Sequence, residues 1–183
     1  MKKRNETKMI ILHCSATREG QDIKAATIKK WHLERQFEDI GYHYVIDLDG
    51  TVEKGRQENM VGAHTTNKNS ISIGICYVGG CDSNMNPKDT RTHKQKESMY
   101  ILIDNLLWKY GLTINDVHGH YEFANKACPS FKIEDFRQEF KHWLHNKENV
   151  IICPGCGMEI TLKDEEKLED NTKREFIKNL LGY

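Results

Sequence analysis

His13, His118, His120 and Cys128 are side chains of the types that hold a borderline-soft cation. Two imidazoles and a thiolate suit zinc, which accepts both nitrogen and sulfur. Three protein ligands would leave a fourth position for water, the arrangement of a catalytic ion and not of a structural one. Spacing alone does not decide the matter. His13 lies far upstream of the others, and by composition alone the reading of all four as ordinary packed or surface residues comes first. Near the C-terminus Cys153 and Cys156 form a single CxxC, half of a zinc ribbon, with His142 and His145 one helical turn apart just upstream. These four could hold a second, structural zinc. A four-cysteine site shared by two chains, a disulfide, or no metal are the alternatives, and a lone CxxC favours no second zinc within the chain.

The elements that must position these residues read as one mixed α/β domain over about residues 8 to 146. The apolar run 8–14 is expected to form a buried strand that ends on His13 and Cys14. Ile28, Trp31 and Leu33 fall in helical order and predict a helix over 27–37. The segments 42–48 and 51–54, joined by Asp49-Gly50, carry the signature of a tight hairpin. The continuous run SISIGICYV (70–78) reads as a central strand. Thr92 with Gln95 three residues on resembles a capping box, opening a helix with Met99, Ile101, Leu102, Leu106 and Leu107 on its apolar face and stopping near Gly111. A second amphipathic helix follows from Ile133 to Leu144. Between them the segment VHGHYEFANKACPSF reads as an irregular loop crowded with reactive side chains, where function concentrates on a rigid scaffold.

The chain has 183 residues, 27 Lys+Arg against 27 Asp+Glu, and 38% hydrophobic residues. That is enough chain for a real core and too apolar for a disordered protein. Zero formal charge lacks the cationic excess of a protein that holds nucleic acid through its phosphates. Residues 151–183 are mildly acidic, with five Lys+Arg against seven Asp+Glu, and read as an appendage. Six cysteines make no short-spaced disulfide framework. The basic start MKKRNETKMIILHC is followed by too few apolar residues for an export signal, and no membrane span is expected. Synthesis in the cytoplasm, with delivery elsewhere by other means, is the expectation.

Five ordered blocks, HCSAT (13–17), GYHYVIDLDGTVEKGR (41–56), VGAH (61–64), SIGICYVGG (72–80) and HYEFANKACPSF (120–131), resemble the zinc-dependent N-acetylmuramoyl-L-alanine amidases of type 2. Peptidoglycan recognition proteins belong to the same family, and the likeness is nearest to the amidase-type bacteriophage lysozymes, or endolysins. It covers roughly residues 8 to 144. The resemblance implies a central mixed β-sheet flanked by helices, one catalytic zinc, and hydrolysis of the amide between muramic acid and L-alanine in peptidoglycan or muropeptides. With the change of sequence character after Asn146, the chain divides into an amidase domain at 1–146 and an extension at 147–183.

Position by position, the resemblance makes His13, His120 and Cys128 the zinc ligands, with His120 preferred because it stands eight residues before the cysteine. His118 would face the same way in an extended segment. Tyr42 and Lys126 match catalytic positions, and His64 matches one near the substrate groove. Glu122 reads as a loop carboxylate able to orient a ligand, while His32, His43 and His93 read as packing or surface residues. Two other readings stand beside the lytic amidase. One is a binding module that recognises peptidoglycan without cutting it, a class that typically lacks the cysteine ligand retained here as Cys128. The other is an intracellular regulator acting through the CPGCG tail.

Overall fold

The run Met9–Cys14 forms β1, and all but its first residue are buried. Burial on both faces is what a central strand of a largely parallel sheet requires, and Ile10, Ile11 and Leu12 meet it without a break. In chain order the computed structural model contains β1, β2 (Thr17–Arg18), α1 (Ala25–Glu34), β3 (Tyr44–Ile46), β4 (Val52–Lys54), β5 (Ser72–Tyr77), β6 (Gly80–Cys81), α2 (His93–Tyr110), β7 (Val117–Gly119) and α3 (Ile133–Glu148), then β8 (Val150–Ile152) and β9 (Glu159–Thr161). The structure describes residues 1–148, 150–152 and 159–161. It divides into two units, Met1–Arg137 and Gln138–Tyr183. In the second unit β8 and β9 pair antiparallel. Cys153 and Cys156 lie outside the described residues.

The first unit holds a five-stranded sheet in the order β4-β3-β5-β1-β7. β5 runs parallel to both β1 and β3, β7 runs parallel to β1, and only the edge strand β4 is antiparallel. The sheet is therefore mixed, with β5 central as its apolar run predicts. The hairpin between β3 and β4 turns where Asp49-Gly50 places it. The Gly50 amide donates to the Asp47 carbonyl at 2.9 Å, and Gly50 takes the positive φ of 88° that glycine tolerates.

Register decides which side chains meet. β1 and β5 pair Ile11 with Gly74 and His13 with Cys76, and β3 adds Val45 beside Cys76. Val45 and Cys76 pack with Ala25 and Ile28 of α1, so His13 emerges on the face that α1 covers.

Two helices differ from expectation. α1 starts earlier and ends at Glu34, because Gln36 adopts a φ of 64° and turns the chain so that the Phe37 amide donates to the His32 carbonyl. Its buried stripe is Ala25, Ile28 and His32, whereas Trp31 and Leu33 are 36% and 46% exposed. The spacing i, i+3, i+7 thus turns a histidine, and not the larger apolar residues, toward the core. α2 has the expected capping box and the left-handed Gly111 stop. Ile101, however, is exposed, and Gln95 is buried in its stead. Its amide donates to the carbonyls of Ile46 and Val78, joining the helix to β3 and to the end of β5. Among the described residues no helix is long and apolar enough to cross a membrane.

Glu58 ties the N-terminal segment, β3 and α2 together. Its carboxylate accepts from the hydroxyls of Tyr44 and Tyr110 and, at 2.6 Å, from the Lys109 ammonium. Its carbonyl accepts from Arg4 at 2.5 Å. Burial alone would raise this carboxyl, but the three donors outweigh it and hold it down to about 2. Because the folded value lies below the unfolded one, the stabilisation is complete above about pH 4.5 and is lost as pH falls toward about 2. Glu58→Gln is expected to cost about 2 kcal/mol at neutral pH and to flatten the loss of stability in that acid window, as measured by urea unfolding across pH. An unaltered pH profile would show that the carboxylate does not tie these segments together.

Candidate metal centre and active site

His13 is fully buried near the end of β1, and three segments distant in sequence come to it. Its ring centroid lies 4.5 Å from that of His120 and 5.0 Å from those of Tyr42 and His64. Its Nδ1 is 3.7 Å from Cys128 Sγ, and its Nε2 is 3.0 Å from His64 Nδ1. The donor atoms offered by His13, His120 and Cys128 all lie within 4.8 Å of one another, so these three side chains could share one metal ion.

The segment carrying His120 and Cys128 is short of regular structure but not of hydrogen bonds. β7 ends at Gly119, and a single 3-10 turn, His120–Glu122, follows at once. The Tyr121 amide donates to the Cys128 carbonyl at 2.8 Å, closing the loop into a ring. The buried Tyr77 hydroxyl donates to the Pro129 carbonyl at 2.9 Å, fastening the next residue to β5. The Cys14 amide donates to Cys128 Sγ at 3.3 Å.

The 3-10 turn also separates the two histidines that an extended reading would align. His118 lies within β7 and bonds Glu122 through Nδ1 at 2.8 Å, while the Gly119 amide donates to the other carboxylate oxygen. His118 stands outside the cluster, which gathers His120 with His13 and Cys128. Glu122 caps the turn and holds His118, so it orients a neighbour of the cluster and not one of its members.

Beside the cluster lies a pocket of about 400 Å³, a size suited to a small substrate. Tyr42, His64, His120 and Lys126 line it, joined by His32 and Arg35. No Asp or Glu is among the described residues of its wall, so its fixed charge is cationic.

The profile of the family described as N-acetylmuramoyl-L-alanine amidase matches residues 3–131. The chain belongs to that family. It is 39% identical over 153 residues to an endolysin of Klebsiella phage KP32, covering 84% of this chain and 95% of the relative. It is 40% identical over 154 residues to the endolysin of Escherichia phage T7, with 84% and 96% covered. Among solved structures it superposes on the N-acetylmuramoyl-L-alanine amidase LysC from Clostridium intestinale with a TM-score of 0.64 at 28% identity, covering 74% of this chain and 86% of that one.

In this amidase the electrostatics favour neutral imidazoles at the cluster. Burial first, then the His64 and His120 rings and Lys126, push His13 well below the usual histidine range. His120 is lowered by burial and by Lys126. Tyr42 is pushed well above the usual phenol value, mainly by burial, so its hydroxyl keeps its proton. The Cys14 and Cys128 thiols are neighbours, the Cys14 amide donating to Cys128 Sγ and Cys14 Sγ standing 3.6 Å from Ser130 Oγ. The pair gives up a first proton more readily than an isolated buried thiol, and a second with difficulty.

Two histidines read from sequence as packing or surface residues stand close to this site. His32 forms part of the pocket wall, with Nδ1 accepting from the Gly41 amide at 2.9 Å. The signal was its place in the Ala25, Ile28, His32 stripe of α1. His43 is buried behind His64, with ring centroids 5.6 Å apart, and no spacing pattern points to it. His93, in contrast, lies on the surface. Tyr77→Phe would leave the Pro129 carbonyl without its donor in a buried setting. A loss of about 1–3 kcal/mol is expected in urea unfolding of the amidase. An unchanged midpoint would show that the Cys128 loop is held by its own backbone bonds alone.

Proposed function

We propose that this chain is a zinc hydrolase that lyses peptidoglycan in the manner of an endolysin, cutting the amide between the lactyl group of N-acetylmuramic acid and L-alanine. One observation carries the proposal: two imidazoles and a cysteine sulfur converge beside a cationic pocket that also presents Tyr42 and Lys126. The donor set fits the ion. Nitrogen and sulfur donors both suit zinc, and the three donor atoms lie within 4.8 Å of one another, with His13 Nδ1 3.7 Å from Cys128 Sγ. In this reading His13, His120 and Cys128 hold the zinc. When bound, zinc would polarise the scissile carbonyl and lower the pKa of a water to about 7.

The remaining roles fall to the chain's own groups. Attack on the amide carbon builds negative charge on the carbonyl oxygen, and Lys126 places an ammonium in the pocket wall to offset it. A phenol with an ordinary pKa near 10 is protonated at neutral pH, and burial strengthens that tendency in Tyr42. Its hydroxyl is thus a hydrogen-bond donor to the oxyanion and not a base. Arg35 and Lys126 together suit a substrate that bears carboxylates, as stem peptides do. His64 stands at the pocket wall. The catalytic domain spans 1–146 in this reading, the extension from 147 adds no metal needed for the cut, and the enzyme meets the wall after release or delivery from its site of synthesis.

Purified protein is expected to contain one zinc per chain and to release L-alanine amino termini from cell walls in a chelator-sensitive way. His13→Ala, His120→Ala and Cys128→Ser are each expected to lose the zinc, whereas His118→Ala keeps it. Tyr42→Phe and Lys126→Ala are expected to keep the zinc and to lose about 10²–10³ in rate. A Cys128→Ser protein that retained both zinc and lysis would overturn the ligand set. Zinc without new amino termini on any wall would favour a binding module.

A further inference from the structure

The protons on the buried histidines can be assigned from one backbone carbonyl. Ser72 Oγ lies 2.7 Å from the Lys68 carbonyl oxygen, which can only accept, so the hydroxyl proton points there. His64 Nε2 stands 3.4 Å from the same Oγ. With its proton committed, Ser72 offers that nitrogen a lone pair, and Nε2 is the protonated position. A neutral imidazole carries one N–H, so His64 Nδ1 is an acceptor. Its partner at 3.0 Å is His13 Nε2, which must then be the donor. The Thr65 hydroxyl, 3.1 Å from His64 Nδ1 and 3.4 Å from His13 Nε2, can donate to the first and accept from the second. His13 Nδ1 is left without a proton, its lone pair available on the side where Cys128 Sγ lies 3.7 Å away.

The seat of His64 is built as well as its bonds. A Cβ placed on Gly74 would lie 2.5 Å from Cγ and Cδ2 of the ring, and one on Gly62 would lie 2.5 Å from Cδ2. Neither glycine adopts a positive φ, so the space and not the backbone conformation requires them. Asn69 Oδ1 accepts from the amides of both His64 and Thr65 at 2.8 Å, fixing the backbone beneath the ring. His43 closes the far side, its own Nδ1 accepting from the Gly74 amide at 2.9 Å.

We propose that His64 is a positioning residue of the metal centre: it accepts the Nε2 proton of His13 and so aims the bare Nδ1 of His13 at the ion. Ligating histidines commonly hold their second nitrogen in this way, and loss of the partner typically weakens metal binding about 10–100-fold. The inference rests on the zinc reading above and departs from a substrate-contact role for His64.

Two measurements on the full chain test it, each in a background with Cys153→Ser and Cys156→Ser so that the tail thiols take up no metal. In metal-free protein, long-range ¹H–¹⁵N couplings of the His13 ring are expected to report the Nε2–H tautomer. In chelator competition, His64→Leu fills the slot but accepts no proton, and is expected to weaken zinc about 10–100-fold. His64→Asn, whose Oδ1 can accept near the Nδ1 position, is expected to recover most of that affinity. Thermal melting of the metal-free variants separates this from loss of fold, since a purely structural role would lower their melting temperatures and leave the Asn and Leu variants alike in zinc affinity. An Nδ1–H tautomer, or full zinc affinity in His64→Leu with wall lysis lost, would overturn the positioning role and leave the zinc reading intact. A parent chain that binds no zinc while showing the Nε2–H tautomer would overturn the zinc reading and, with it, the role assigned to His64.

Discussion

A fully buried imidazole needs partners for both of its nitrogens, and the structure around His13 is organised by that requirement. Burial penalises the charged ring, so His13 is neutral and has one donor and one acceptor to satisfy. The acceptor side faces Cys128 and the ring of His120 lies alongside, while the donor side faces His64. His64 belongs to one distant part of the chain, and His120 and Cys128 to another. The sheet must therefore bring β1 beside both β5 and β7 before the centre can exist at all, and the pairing of β1 with those two strands does so.

Rigid and looser elements share the work. His13 is carried on a central strand with no freedom to move independently of the core. His120 and Cys128 lie beyond the end of β7, on a loop closed by the Tyr121–Cys128 and Ser130–Ala127 backbone bonds. Lys126 sits inside that ring, with its amide donating to the Ala124 carbonyl. Its backbone is thus held while its side chain stays exposed and free to follow charge that develops during the reaction. That arrangement suits a group whose task is electrostatic, because the cost of ordering a lysine side chain arises only when substrate is present.

Much of this was legible in the sequence. The Asp49-Gly50 hairpin, the Thr92–Gln95 capping box, the Gly111 stop and the central place of β5 follow from local patterns whose physical basis is also local. The resemblance to amidases brought His13, His120, Cys128, Tyr42 and Lys126 into one set, and the fold brings the same residues to one place. The choice between His118 and His120 was harder to read, because alternation holds only in extended chain and the 3-10 turn at His120 ends it. The surroundings of His64 were not legible. They depend on Gly62 and Gly74, whose missing side chains matter only once the register Ile11–Gly74 is known. Such tertiary vacancies leave no periodic trace.

The charge distribution follows from the same constraint. A cluster of neutral imidazoles and one thiolate gives a bound dication only partial compensation, and the pocket beside it adds Arg35 and Lys126 with no carboxylate in its described wall. The loaded site would therefore carry net positive charge in a setting partly withdrawn from water, where electrostatic interactions are stronger than in solution. An amide with flanking carboxylates is drawn into such a field in its ground state, and the oxyanion that forms on attack is favoured more strongly still. Keeping Glu122 turned toward His118 and the Gly119 amide, and away from this wall, preserves that bias.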